Sequence, residues 1–301
     1  MQIREAVAQG NTDLKFAGIK SPGLDSSLLM AHVLNVSRES LTANSNKKLT
    51  EKQCADFCEL IERRASGECV AYILGKKEFR GLEFLVNKSV LVPRPDTETL
   101  VETALKMCND ELKIKNKLRI LDLCTGSGAV AIAIKNEMPE LEVHASDIST
   151  EALEVASSNS KKLLGDKKLY FYQGDLYEAL KTPFHIPHSS FSTPHSSLST
   201  PQFSIITANP PYISSDEMKT LQTEVQNEPS LALDGGRGGL EIITRIINDT
   251  PEFLEKGGSL LMEADPRQMN EISILLDKKG FSGIKLYKDL SGLNRVIGGQ
   301  L

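Results

Sequence analysis

From Asp96 onward short apolar runs alternate with stretches of helical periodicity, which predicts a parallel sheet joined by right-handed helical crossovers. Lys117–Cys124 reads as a buried strand, Ala129–Ile134 as a buried helix and Glu142–Asp147 as a second strand. A third strand is expected to end at Gly174-Asp175, and the apolar run Phe203–Ala208 forms a fourth. Phe281–Tyr287 and Asn294–Gly299 suggest a closing hairpin. Ahead of this region the pattern differs. Asp25–Leu34 and Thr50–Arg64 carry apolar residues at helical spacing, and Thr50 with Gln53 makes a capping box. Residues 76 to 93 alternate well enough for a hairpin that turns at Gly81 and again at Asn87-Lys88-Ser89. The expected plan is a helical domain over 1–75, a hairpin linker over 76–93 and an α/β domain over 94–301.

Two turns in the α/β region carry candidate chemistry. Between the first strand and its helix lies Thr125-Gly126-Ser127-Gly128, where two glycines let a ligand approach the backbone closely. The dinucleotide fingerprint would need a third glycine where Ala131 stands, and a phosphate-binding loop would need a following Gly-Lys-Ser/Thr. The second strand ends on Asp147, 19 residues past Gly128, where an acid can accept hydrogen bonds from a ribose diol. Asp122 either faces a ligand's ammonium group or caps the glycine turn; the residues alone leave both open.

The second turn, Asn209-Pro210-Pro211-Tyr212, follows the fourth strand directly. Two prolines fix φ near −65° and hold the Asn209 side chain and the Pro210 carbonyl with little freedom to rearrange. Two acceptors converging beside a flat aromatic wall at Tyr212 suit a planar –NH2 group held by both protons. The bland alternative is a proline-stiffened loop.

Asp122-x-x-x-Gly126-x-Gly128, Asp147 and Asn209–Tyr212 together resemble the class I S-adenosylmethionine-dependent methyltransferases that act on planar nitrogens. The stretches Gly67–Phe79, Val90–Glu102 with its Pro-Arg-Pro-x-Thr-Glu core, Glu228-Pro-x-x-Ala232-Leu-x-Gly-Gly236 and Asp289-Leu-x-Gly-x-x-Arg295 narrow the match to the HemK/PrmC family. The resemblance runs through essentially the whole chain. It implies a Rossmann-like methyltransferase domain, a mainly parallel seven-stranded sheet with a closing antiparallel hairpin, preceded by a small helical domain that helps hold the substrate. It also implies S-adenosylmethionine as cofactor, held by Asp122, Cys124, Thr125, Gly126, Ser127, Gly128, Asp147, Asp175, Leu176 and Asn209, with no metal. Asn209, Pro210, Pro211 and Tyr212 would bind the substrate, with Asn209, Pro210 and Tyr212 at the reacting group. The implied substrate is the glutamine of the Gly-Gly-Gln motif in class I peptide chain release factors. Three positions depart from the family pattern. Cys124 stands where the first glycine of the loop is usual, Leu176 where a tryptophan often follows the aspartate, and Cys69 where a proline is usual. Cys124 costs some backbone freedom but leaves both later glycines in place, so cofactor binding is expected to survive it, whereas Leu176 predicts an aliphatic face for the adenine and a weaker hold on the cofactor.

Composition sharpens the choice of partner. A net charge of −5 and a pI near 5.7 offer no global attraction to phosphate backbones, so a protein substrate is favoured over nucleic acid. Cys54, Cys58, Cys69, Cys108 and Cys124 show no C-x-x-C spacing, and Cys54 with Cys58 read as buried small hydrophobes on one helix face. The start lacks a signal-peptide core and no apolar run reaches membrane-spanning length, so a cytoplasmic monomer is expected. Two seven-residue copies, Pro187–Thr193 and Pro194–Thr200, fall in a Ser/Thr/Pro/His-rich insertion over about 184–201 that is expected to stay disordered. His185, His188 and His195 within it lack the fixed geometry a metal needs. Three alternatives share the motifs: a glutamine methyltransferase of a ribosomal protein, a nucleic-acid exocyclic-amine methyltransferase, and a non-catalytic module that kept the fold. The closing Gly298-Gly299-Gln300 is read as part of a last strand rather than as a self-modified motif.

Overall fold

The computed structural model of the protein describes residues 1–112, 117–181 and 202–301, so the tandem repeat and its histidines lie outside the described residues. The described chain divides into two units, one formed by 1–76 with 222–227 and the other by 77–221 with 228–301.

The first unit is helical. It comprises α1 (Ile3–Phe16), α2 (Pro22–Leu34), α3 (Arg38–Ala43), α4 (Glu51–Ala65) and α5 (Val70–Leu74), with a core that includes Leu14, Leu29, Met30, Phe57 and Ile61. Helix α4 starts at the expected capping box: Gln53 N–H donates to Thr50 Oγ1 at 3.2 Å and Thr50 N–H to Gln53 Oε1 at 3.0 Å. Its buried face carries Phe57, Ile61 and Arg64, an i, i+4, i+7 stripe that ends on a cation. A guanidinium can be buried there because Asp25 lies 2.7 Å away and Glu224 2.5 Å away. The Cys54 and Cys58 expectation fails in part. Cys54 is half-buried, but Cys58 lies on the solvent side of α4.

The second unit opens with β1 (Lys76–Phe79) and β2 (Leu82–Leu85), joined by Arg80-Gly81 with both φ angles positive, as a tight hairpin turn requires. The expected second turn forms, with Ser89 N–H donating to Asn87 Oδ1 at 2.9 Å. Val90–Pro93 is not a strand, however. Val92 N–H donates at 3.1 Å to the side chain of Glu228, so it is absent from any ladder.

After α6 (Glu98–Leu112) the unit runs through β3 (Arg119–Leu123), α7 (Ala129–Glu137), β4 (Glu142–Asp147), α8 (Thr150–Leu164), β5 (Tyr170–Gln173) and β6 (Phe203–Ala208). A short α9 (Thr223–Gln226) belongs to the first unit; α10 (Glu241–Phe253), β7 (Leu254–Glu263), α11 (Met269–Lys278), β8 (Ser282–Lys288) and β9 (Asn294–Gln300) complete the second. Among the described residues seven strands form one sheet in the order β5-β4-β3-β6-β7-β9-β8, parallel from β5 through β7, with β9 antiparallel to both its neighbours.

Alternate strand residues feed two cores. Ile120, Ile205 and Leu261 pack with α6, α7 and α8, whereas Leu121, Ile206, Leu260 and Met262 pack with α10 and α11. Both faces are covered, which is why the central strands β3 and β6 read as largely apolar runs. Gly298-Gly299 serve packing in β9: a Cβ on Gly298 would sit 2.5 Å from the Leu261 side chain. Strand order reverses beside β3, since the chain first moves outward to β4 and β5 and then returns to lay β6 on its other side. The crevice beyond the carboxyl ends of β3 and β6 is therefore the topological switch point. Among the described residues no helix is long and apolar enough to cross a membrane.

Candidate active site

A cavity of about 470 Å³ opens at that switch point, within the size range of small-ligand sites. Its wall includes Asp122, Cys124, Thr125, Gly126, Ser127, Asp147, Asp175, Leu176, Asn209 and Pro211. These residues come from the ends of four parallel strands, and the fold brings them together although they span nearly ninety positions. Gly128, Pro210 and Tyr212 are not among the lining residues.

The glycine loop is held open from below. Gly126 has φ +54°, and a Cβ placed on it would meet nothing within 4 Å, so its backbone borders open space. Its N–H donates at 2.8 Å to Asp147 Oδ2, while Ser149 N–H donates at 2.9 Å to Asp147 Oδ1. Burial raises the pKa of Asp147, and these backbone donors, led by Ser149, pull it back in part. Cys124 holds φ +56°, a region L residues rarely occupy, so this position demands a glycine-like conformation that Cys supplies under strain. Asp122 caps the glycine turn and also borders the cavity. Its Oδ2 accepts the Thr125 hydroxyl at 2.6 Å, its Oδ1 accepts Thr207 at 2.8 Å, and it also lines the cavity. Burial pushes its pKa up to about 7 against the pull of the two threonine hydroxyls.

On the opposite wall, Asn209 Nδ2 donates to Thr97 Oγ1 at 3.2 Å. The amide nitrogen is thereby engaged, which leaves the carbonyl oxygen as the group an incoming ligand would meet. The turn after Asn209 is clamped by the second glycine motif. Ile213 N–H donates to Leu233 O at 2.9 Å and Gly235 N–H to Ile213 O at 2.8 Å. A Cβ on Gly239 would lie 2.1 Å from the Tyr212 carbonyl oxygen, so only glycine fits beneath the turn. Gln268 Nε2 donates to the same carbonyl at 2.9 Å.

Several residues that the motifs did not single out complete the wall. Arg94 and Thr97 come from the Pro-Arg-Pro segment, and Arg94 is held by buried Glu228, itself not a lining residue, which also accepts from Val92 N–H. Arg245 on α10 pairs with Asp175 at 2.7 Å. The presence of Thr97 and Glu228 in family-specific stretches was the available signal; Arg245 had none.

Comparison with known proteins identifies the assembly. Residues 5–75 match the PrmC N-terminal domain and residues 98–186 the methyltransferase small domain. A release factor glutamine methyltransferase of Rhodopirellula baltica is 36% identical, over 94% of this chain and 90% of that protein. The chain belongs to the release factor glutamine methyltransferase family. A second member, from Coxiella burnetii, is 38% identical over 99% of this chain and 98% of that protein. Among solved structures, the hMettl16 catalytic domain in complex with MAT2A 3'UTR hairpin 1 has a TM-score of 0.54, covering 96% of this chain and 90% of that one at 13% identity. That likeness concerns the fold. Cys124 and Leu176, the two turn positions at which the sequence resemblance is expected to break, both line the cavity.

Proposed function

We propose that the protein transfers a methyl group from S-adenosylmethionine to the side-chain amide nitrogen of the glutamine in the Gly-Gly-Gln motif of class I release factors. The observation that supports this is that Asn209 lines the same cavity as the glycine loop with one of its N–H groups taken by Thr97, so its side-chain oxygen is available to accept. Asp122, the Cys124–Gly128 loop, Asp147, Asp175 and Leu176 would hold the cofactor. Asp147 accepts from the ribose diol, and the carboxylate of Asp122 attracts the ammonium group. The open backbone at Gly126 and the cavity volume support the fit. When bound, the cofactor supplies a methyl already activated on a sulfonium.

The chain's own task is then positioning. A glutamine amide nitrogen is a poor nucleophile because its lone pair is delocalised. Acceptors at Asn209 Oδ1 and the Pro210 carbonyl fix the –NH2 plane and stabilise positive charge as it develops on the nitrogen. The helical unit over 1–75 would hold the release factor. The net charge of −5 and the two family-specific stretches around Arg94 and Glu228 favour a protein substrate over a nucleic-acid amine.

The test is methyl transfer from labelled cofactor to purified release factor, followed by peptide mass mapping. Label should appear on the Gly-Gly-Gln glutamine. Asn209→Ala should lose about 10²–10³ in turnover, the cost of one preorganised polar contact at the reacting group, while cofactor affinity stays within a small factor. Parent-level turnover in Asn209→Ala would reduce the turn to a structural element.

A further inference from the structure

Leu231 lines the cavity and yet is 56% exposed, whereas Leu233, two residues on, is 5% exposed and belongs to the core. Both sit on the segment Glu228–Gly236, so the chain sends one leucine inward and leaves the other standing at the mouth of the cavity. A lone exposed leucine on an open surface needs no explanation. One that borders a ligand cavity on a fixed backbone does.

The backbone here is fixed from both ends. Ala232 N–H donates to Pro229 O at 2.9 Å and Leu233 N–H to Ser230 O at 3.0 Å, which closes a single 3-10 turn around Leu231. After that turn, Leu233 O accepts from Ile213 N–H and Gly235 N–H donates to Ile213 O, so the segment rides on the turn that carries Asn209. A Cβ on Gly235 would lie 2.6 Å from the Pro211 carbonyl oxygen, a measure of how closely the two turns meet. Before it, buried Glu228 ties the segment to Val92 N–H and the Arg94 guanidinium. Leu231 therefore keeps a set position relative to Asn209.

What reaches that position in the proposed reaction follows from the length of the substrate side chain. Only two methylenes separate a glutamine amide from its backbone. With the amide held at Asn209, the chain beside the glutamine comes to the mouth of the cavity, where Leu231 stands. The wall around it is apolar as well, with Leu91, Pro229 and Ala232 among the lining residues. A glycine passing there presents only Cα hydrogens to that wall. Any other residue would bring a Cβ against a leucine whose backbone has no room to retreat.

We propose that Leu231 is a specificity-determining residue: it packs against the backbone directly before the substrate glutamine and admits only glycine there. The inference rests on the amide-methylation reading above and names the part of that site that reads the neighbour of the glutamine rather than the glutamine itself. The cavity wall is thus divided by task. Asn209 meets the amide, and Leu231 tests what precedes it. Discrimination over a single carbon at an apolar wall runs to about 10- to 200-fold in kcat/KM, which sets the scale of the effect.

The experiment compares two substrates across three enzymes: the parent, Leu231→Ala and Leu231→Met. The substrates are purified release factor and the same factor with alanine in place of the glycine directly before the glutamine, with methylation mapped to that glutamine by mass. Taking the ratio of the two for each enzyme cancels whatever the alanine does to the release factor alone. The parent should prefer the Gly-Gly-Gln factor by about 10- to 100-fold in kcat/KM, and Leu231→Ala should bring that preference below about threefold. Leu231→Met, which nearly conserves volume, should keep the preference within about threefold of the parent. On the unaltered factor, Leu231→Ala should raise KM about three- to tenfold with kcat within about twofold, the signature of a contact made equally in ground and transition states. Cofactor affinity, read by isothermal titration, should not change, because the glycine loop and Asp147 carry it. An exposed side chain can be shortened without unfolding the chain, so all three enzymes are comparable.

A preference that survives intact in Leu231→Ala overturns the proposal, as does a parent that methylates both factors equally well. A tenfold loss of cofactor affinity in Leu231→Ala would reassign the residue to the cofactor and overturns it too. Complete loss of turnover in that variant does the same, because a contact that reads only the neighbour cannot carry the reaction. Each of these outcomes spares the amide reading; no methylation of release factor by the parent enzyme sinks both.

Discussion

Replacing Asp147 with alanine should weaken S-adenosylmethionine binding and also loosen the protein, because the same carboxylate serves both. Its two oxygens already accept one backbone donor each, Gly126 N–H at 2.8 Å and Ser149 N–H at 2.9 Å. A carboxylate offers about four lone-pair directions, so two remain for the ribose hydroxyls. Hydrogen bonds to a charged group contribute about 1.5–3 kcal/mol, which converts to a dissociation constant raised roughly 10- to 150-fold. The stability term has two opposing parts. Two backbone donors lose their partner, at about 1–3 kcal/mol each if fully buried and less here because the site is open to water. Against that, a carboxylate whose pKa burial has raised is itself costly to keep ionised, and its removal offsets part of the loss. A net destabilisation of about 1–2 kcal/mol is expected. Asp147→Asn should not rescue binding fully, since its –NH2 must face one of the two backbone donors. Isothermal titration with the cofactor and denaturant unfolding measure the two effects separately. A dissociation constant within twofold of the parent in a folded Asp147→Ala protein would refute the ribose assignment.

Gly239→Ala places a methyl 2.1 Å from the Tyr212 carbonyl at a φ of +71°, so turnover should drop at least 10²-fold with a stability loss of about 1–3 kcal/mol; parent-level kcat would show that the turn can shift freely. Glu228→Ala leaves Val92 N–H and the Arg94 guanidinium without their partner, and should cost about 1–2 kcal/mol in denaturant unfolding because half-buried Arg94 can turn to water. A change below about 0.5 kcal/mol would mean that the Val90–Arg94 wall is held by other contacts. Asp122 has a folded pKa near 7 against an ordinary 3.8, so its ionisation is disfavoured in the folded state. Its contribution to stability is full below about pH 4 and is lost as pH rises through about 7. The cofactor-free parent should therefore lose stability relative to Asp122→Asn between pH 4 and 8, and parallel curves for the two proteins would contradict the shift.

β3 and β6 were legible because they are buried on both faces and read as largely apolar runs, whereas β4, Glu142–Asp147, has only Val143 and Ala145 as apolar positions and was legible from its place after the first strand and helix. The two turns were legible for a different reason: glycine and proline act on the backbone locally, and their positions directly after strands put them at the functional edge. What escaped was whatever depends on pairing across the chain. Val90–Pro93 has the alternation of a strand, but its donor at Val92 is taken by Glu228, 136 residues away. Thr97 and Asn209 are 112 residues apart, and nothing local in either segment announces that one hydroxyl meets one amide. The strand β7 that ends on Glu263 is not among those expected from the sequence, and only the fold sets its carboxyl 3.5 Å from the Tyr212 hydroxyl. Cys58 shows the limit of spacing alone, since an i, i+4 pair with Cys54 fixes a common stripe but not how far that stripe wraps toward solvent.

The excursion of residues 222–227 into the helical unit has a consequence for synthesis on the ribosome. Arg64 is completed by Glu224, and the Gly67 carbonyl by Asn227 Nδ2 at 2.9 Å, so this unit draws on chain that emerges about 150 residues after its own last helix. At the usual elongation rate of about 5–20 residues per second, roughly 8–30 seconds separate the two parts. During that interval the nascent helices must keep a buried guanidinium with Asp25 as its carboxylate, and the sheet strands β3 to β6 are already being made. The first unit to be translated is thus among the last to be finished, an order opposite to the usual one in which amino-terminal domains fold before the rest of the chain appears.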